Sequence, residues 1–190
     1  MKAFQDFLKQ FPYYSDEIFE ELLPKLSIVE LKTDEYFLKE GQTCNKLAFI
    51  EKGLVRIHYL NEGKEITKCF CREKNITCSY SSMITQTPSE CAIQAIEHTK
   101  LIILSYASLQ KLYQKSIFWQ QIGRLVGERE FVVEEKHNQS MRNLSALDRY
   151  KHILTNDSEL LQRVPLNHLA SYIQVTPETL SRIRSKISRT

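Results

Sequence analysis

The chain has 190 residues, with 26 Lys and Arg against 23 Asp and Glu and a 42% hydrophobic content. That suffices for one ordinary domain and a small second one, and it excludes a disordered tail or a mini-scaffold. The longest strongly apolar stretch runs only from Leu101 to Leu109, whereas a bilayer helix needs about 20 such residues, so no membrane partner is expected.

The opening residues mix Lys2, Asp6 and Lys9 into an amphipathic pattern, unlike a secretory leader, and the expected location is the cytoplasm. Phe4, Phe7, Leu8 and Phe11 recur at helical spacing, as do Ile18, Phe19, Leu22 and Leu23 before Pro24; two short helices follow from that period. From Ile28 the pattern becomes that of strands: IVEL, EYFLKE, KLAFIE, LVRIHYL, EITKCFC, AIQAIE and KLIILS are rich in β-branched and aromatic residues. Gly41, Gly53 and Gly63 punctuate these runs, and Lys52-Gly53 and Asn61-Glu62-Gly63 read as hairpin turns. Regular short strands of this kind predict an antiparallel sandwich or barrel.

Five cysteines, at 44, 69, 71, 78 and 91, form no CxxC pair and have no histidine at zinc-finger spacing. Cys69 and Cys71 share one face of a strand, too far apart to bond comfortably. They are expected to be small buried thiols in a reducing compartment.

From about Ser116 to Leu144 the sequence reads as one long helix with Phe118, Ile122, Leu125, Val126, Val132 and Val133 as its apolar positions and Arg129 and Lys136 in the same seam. A stripe that long must be covered by the preceding β domain or by a second copy; the homodimer is the preferred reading. An all-helical module follows, opening with Leu144, Leu147, Tyr150, Ile153 and Leu154 on one face. From Arg142 onward eight basic residues face four acidic ones, a local excess of +4, while the remainder carries −1. A nucleic-acid surface attached to a near-neutral domain has this asymmetry, and so do many solvated helices.

Leu166, Leu169, Ala170 and Ile173 share a helix face, and Gln174-Val175 breaks the pattern. Thr176 is a capping hydroxyl, Pro177 stands at the first helical position where a missing N–H costs nothing, and Glu178 and Thr179 follow near the positive end of the dipole. In the helix that starts there, Leu180, Ile183 and Ile187 fall on one face and Glu178, Arg182, Ser185 and Arg189 on another. Two short helices with a turn between them, the second offering Arg, Glu and Ser outward, suit a major groove.

The string LASYIQVTPETLSRIRSKI resembles the helix-turn-helix of the Crp/Fnr superfamily of bacterial transcription regulators, and the β-rich region with its long helix resembles that family's cyclic-nucleotide-binding-like barrel and dimer helix. Ala170 matches the small residue of the first helix, Val175 the buried turn position, Thr176 the capping hydroxyl, and Glu178 and Arg182 the base-reading positions. The resemblance implies an α+β fold: residues 1–115 an antiparallel jelly-roll-type sensor barrel with flanking helices, 116–142 the dimer helix, 143–190 the DNA-binding domain. It implies a non-enzymatic regulator acting as a homodimer on double-stranded DNA, with RNA polymerase as a further partner. Thr176, Pro177, Glu178, Thr179, Ser181, Arg182, Ser185, Lys186 and Arg189 are its candidate DNA-binding residues. Pro177 stands where some members carry an Arg, and after the recognition helix the sequence has no room for the β-hairpin wing of many members, so Arg184, Lys186 and Arg189 become candidates for phosphate contact.

Members that bind cyclic nucleotides hold the phosphate with a Gly-Glu pair and an Arg. Here Ser79 and Tyr80 occupy the first position and Glu90, just before Cys91, the second. The countercharge is reversed, and cyclic AMP is expected not to bind. Ser79, Tyr80, Ser81, Glu90 and Cys91 remain the candidate lining for another effector, whose identity the motif does not fix. No cofactor is expected: no cysteine precedes Cys44 to match the family's iron-sulfur ligands, and His58 and Cys78 as haem ligands compete with the ordinary reading of a half-exposed strand histidine. The rival reading is a small-molecule or redox sensor acting through protein contacts, with little DNA affinity.

Overall fold

In the computed structural model, which describes residues 1–188, the runs between Leu26 and Ser105 become strands. These are β1 (Leu26–Leu31), β2 (Tyr36–Leu38), β3 (Lys46–Lys52), β4 (Leu54–Asn61), β5 (Lys64–Arg72), β6 (Ile76–Thr77), β7 (Ala92–Ala95) and β8 (Thr99–Ser105). The helices are α1 (Lys2–Leu8), α2 (Asp16–Leu22), α3 (Tyr80–Thr85), α4 (Tyr106–Lys115), α5 (Ile117–Asn143), α6 (Ala146–Asn156), α7 (Leu160–Arg163), α8 (Leu166–Tyr172) and α9 (Pro177–Ile187). The architecture is α+β. Among the described residues no helix is long and apolar enough to cross a membrane.

The strands form two four-stranded sheets, ordered β1-β8-β3-β6 and β2-β7-β4-β5. β8 runs antiparallel to both β1 and β3, and β7 to both β2 and β4. The expected barrel is corrected by this pairing: the sheets do not close on one another. One edge of each is a strand of two or three residues, β6 or β2, too short to carry a ladder from one sheet into the next.

Gly53 explains a second correction. The Lys52-Gly53 turn joins strands that belong to different sheets, so it is a crossover corner and not a hairpin. Its φ of +102° and a backbone pressed against Thr99 leave no room for a side chain. Asn61-Glu62-Gly63 does join neighbouring strands, as the sequence predicts.

Alternation along β3 divides the β-rich region into two cores. Phe49 points into a cluster with Phe4 and Phe7 of α1, at ring separations of 4.9 and 5.4 Å. Ala48 and Ile50, on the other face, join Val55, Ile57, Ile93 and Leu101. All five cysteines belong to or pack against this second cluster, and all are free thiols. Only Cys44 is fully buried; the expectation of buried thiols fails for the other four, which are half-buried.

α5 is 27 residues long, about 40 Å at the usual rise. Its apolar stripe splits. Phe118, Trp119 and Ile122 are buried in the first core, where each contributes about 1.5–3 kcal/mol. Further along, Phe131 is 71% exposed, Val133 55% and Val132 48%.

Contacts divide the chain into two compact units: Met1–Tyr59 with Cys69–Gly127, and Leu60–Lys68 with the chain from Glu128 onward. The second unit has its own core of Tyr150, Ile153, Leu160, Val164, Leu169, Ala170, Ile173 and Leu180. The segment from Leu60 to Lys68 is fastened to α8: Thr67 N–H donates to Ser171 Oγ at 2.9 Å, and that hydroxyl donates to Glu65 O at 3.1 Å.

Candidate nucleic-acid interface

α8 ends because the chain turns left-handed at Gln174, φ +56°. Val175 N–H then donates to Ala170 O at 3.0 Å, folding the turn back on the helix. Thr176 has extended backbone, and its hydroxyl accepts from Thr179 N–H at 3.3 Å. With Pro177 at the first helical position, α9 starts where the capping pattern predicts. Leu180 is fully buried beside Ala170 and Ile173, and Ile183 and Ile187 are half-buried on the same side. The helix is anchored by one face.

The opposite side is open. Thr176, Pro177, Glu178, Ser181, Arg182, Ser185 and Lys186 are exposed, and Thr179 is half-buried by its role in the cap. Ser181, Arg182, Ser185 and Lys186 line a shallow hollow of about 470 Å³. Arg184 is exposed as well, and Arg189 lies outside the described residues. Hydrogen bonding to Thr176 and then to its own backbone N–H holds the Glu178 carboxyl below the usual carboxylate range. At neutral pH this surface presents Arg182, Lys186 and an ionised Glu178, with two serine hydroxyls between them: donors and acceptors of the kind that base edges and phosphates accept.

The effector candidates do not come together as one set. Ser79 is buried and Ser89 Oγ donates to its hydroxyl at 2.8 Å; Cys91 lies beside them, its thiol 3.7 Å from Ser79 Oγ. Tyr80, Ser81 and Glu90 are exposed, and the Tyr80 hydroxyl is directed at Gly127 of α5. The Ser89 link carries no sequence signal of its own. Ser82, also missed, donates to Thr87 O and accepts from Cys44 N–H at 2.9 Å, holding α3 to the sheet edge. Burial pushes the Cys44 thiol up, away from thiolate character.

A buried arginine is the other residue the sequence reading passed over. Arg56, 2% exposed, donates through Nε and Nη2 to Gln94 Oε1 at 3.1 and 2.8 Å, and Gln94 Nε2 donates to Asp34 O at 3.3 Å. Its alternation with Leu54 and His58 in LVRIHYL was the available signal. His58 is buried and not half-exposed, its ring 6.2 Å from that of Tyr36. No cluster of three or more His, Cys, Asp or Glu able to hold a metal ion occurs among the described residues.

Residues 28–116 match the family described as Cyclic nucleotide-binding domain. The chain is similar in fold to several solved structures. FixK2 from Bradyrhizobium japonicum superposes with a TM-score of 0.72 at 19% identity, over 86% of this chain and 85% of that one. The c-di-GMP responsive global regulator CLP from Xanthomonas campestris does so at 0.73 and 18%, over 92% of each. A candidate transcriptional regulator of the Crp/Fnr family from Eubacterium rectale gives 0.75 and 15%, over 94% and 87%. No curated protein sequence matches the chain.

Proposed function

We propose that the protein is a sequence-specific DNA-binding transcription regulator of Crp/Fnr type, in which α8 and α9 form a helix-turn-helix. The observation that carries this reading is the division of α9: Leu180 buried, and Arg182, Ser185 and Lys186 exposed on the face away from it. Val132, 48% exposed in the same seam as Leu125 and Arg129, supports pairing of α5 with a second copy. Two copies then place two α9 helices in successive major grooves, about 34 Å apart on a pseudo-palindromic site. In this reading the β-rich region is the sensor, α5 the dimer helix and the chain from Asn143 the DNA-binding domain.

The sensor is not gated by cyclic AMP. Near the position of the family's phosphate cassette the residues in contact are Ser79, Ser89 and Cys91, all neutral, and the nearby Glu90 is exposed and anionic. The buried guanidinium of Arg56 is turned to Gln94. A cyclic phosphate needs a countercharge, which Ser79, Ser89 and Cys91 do not supply and Glu90 opposes.

An operator selected from random duplex tests the assignment. Arg182→Ala loses about 1–3 kcal/mol on the selected site and relaxes preference at one base, while Lys186→Ala weakens selected and random duplex alike. Fluorescence anisotropy reads both. Equal losses on the two duplexes for both variants overturn the proposal.

A further inference from the structure

Within the second unit, α5, α6 and α8 enclose a cavity of about 380 Å³ that the proposed DNA contacts do not use. Lys136 and His137 of α5 and Arg149 and His152 of α6 contribute to its wall, and no carboxylate does. Acidic groups on the same helices are engaged elsewhere: Glu134 pairs with Lys68 at 3.3 Å, Glu135 accepts from Gln139, and Asp148 accepts from Ser145. Apart from Ser140 the rest of the lining is chiefly apolar, with Met141, Leu144, Ile153 and Ile173, and the Tyr172 ring is stacked on His137 at 5.2 Å and 21°.

We propose that this cavity binds a small aromatic carboxylate. A cluster of basic side chains in a wall that no carboxylate lines favours an anion. An apolar floor with a stacked ring pair at its side favours a flat, hydrophobic body. The number of fixed charges chooses the anion. Burial pushes the His137 imidazolium toward its neutral form, opposed by Glu134 and assisted by Lys68. Lys136 and Arg149 therefore supply the permanent charge. Arg149 already spends Nε on Ile173 O at 3.1 Å, and Nη1 on Met141 O at 3.2 Å and Leu144 O at 2.8 Å. Nη2 and the Lys136 ammonium suit one carboxylate better than a phosphate dianion.

The site is compatible with pairing along α5. At about 100° per residue, Val133, His137 and Ser140 lie on a face beside the seam of Leu125, Arg129 and Val132, and Lys136 alone of the α5 lining falls within that seam. The inference concerns direct binding by this chain and stands whether or not α9 reads DNA.

Calorimetric titration of the full chain with 2-naphthoate, 2-naphthamide and sulfate tests it. The carboxylate is expected to bind at least about tenfold more tightly than the amide, since the amide leaves the cationic groups without a counterion. His152→Glu, at an exposed position, should weaken naphthoate by about tenfold and Lys136→Gln by a smaller factor. In NMR spectra naphthoate should shift the imidazole signals of His137 and His152 while leaving those of His58 and His98 in place. Equal affinity for the amide, displacement by equimolar sulfate, unchanged affinity in both variants, or absence of heat at millimolar ligand each overturns the proposal.

Discussion

The segment from Thr176 to Ile187 and the one from Ser79 to Cys91 were both singled out by sequence, yet they are built in opposite ways. In the first, every determinant is local: cap, first-turn proline, and a repeat that buries Leu180 and exposes Arg182. In the second, Ser79 meets a hydroxyl ten residues away and Ser82 meets Cys44 across thirty-eight. Local geometry can be read well from sequence where the neighbours in sequence are the neighbours in space, and poorly where they are not.

The sharpest break of this comparison is Gly53→Ala. A Cβ there falls 2.5 Å from Thr99 Oγ1, 2.7 Å from Thr99 Cα and 2.8 Å from His98 O, at a φ of +102°. Two of those atoms are backbone and cannot rotate away. Strain and overpacking together should cost about 3–5 kcal/mol, read as a fall in the urea midpoint with unchanged slope. A loss under about 1 kcal/mol would mean that the corner can shift and that long-range packing constrains the β region less than argued.

Gly123→Ala comes next. Its Cβ would meet the Tyr113 ring at 2.6 to 2.9 Å, and that ring is enclosed well enough for burial to push its hydroxyl up to about 12. Helix propensity returns about 1 kcal/mol and displacing the ring takes about 1–3, a net loss of about 1 kcal/mol. In the double variant with Tyr113→Leu the propensity gain should reappear, so the two changes should not add. Additive effects would mean the ring moves freely.

Much of the fold was legible for the same reason. The runs KLAFIE and LVRIHYL became β3 and β4 because alternation is a local property. The tyrosine-bearing helices α3 and α4 were not foreseen, since YSSMIT and YASLQKLYQK offer short or weak periodicity and owe their place to Ser82 and Leu112, which face other elements. Closure of the sheets was likewise beyond the sequence: it turns on how many residues an edge strand pairs, and β2 and β6 pair few. Among candidate site residues, the exposure of Arg182 was legible from spacing. Arg149 was not, because its three carbonyl partners come from residues 141, 144 and 173.

The smallest expected effect probes the local end of the comparison. Thr176→Ala removes the hydroxyl that accepts from Thr179 N–H and should lower stability by about 1 kcal/mol. The same hydroxyl is the leading cause of the depressed Glu178 carboxyl, so the variant should also move that titration upward, toward the ordinary glutamate value. A carboxyl depressed in the folded state favours folding above its unfolded pKa and loses that contribution as pH falls through the folded pKa. The variant should therefore begin to lose the Glu178 contribution at a higher pH than the parent. Side-chain NMR of Glu178 across acid pH measures the shift, and Thr176→Ser should restore both cap and titration, because it keeps the oxygen and discards only a methyl. Failure of serine to rescue either would place the stabilisation in packing of the threonine methyl, and the start of α9 would then depend on tertiary contact as the β region does.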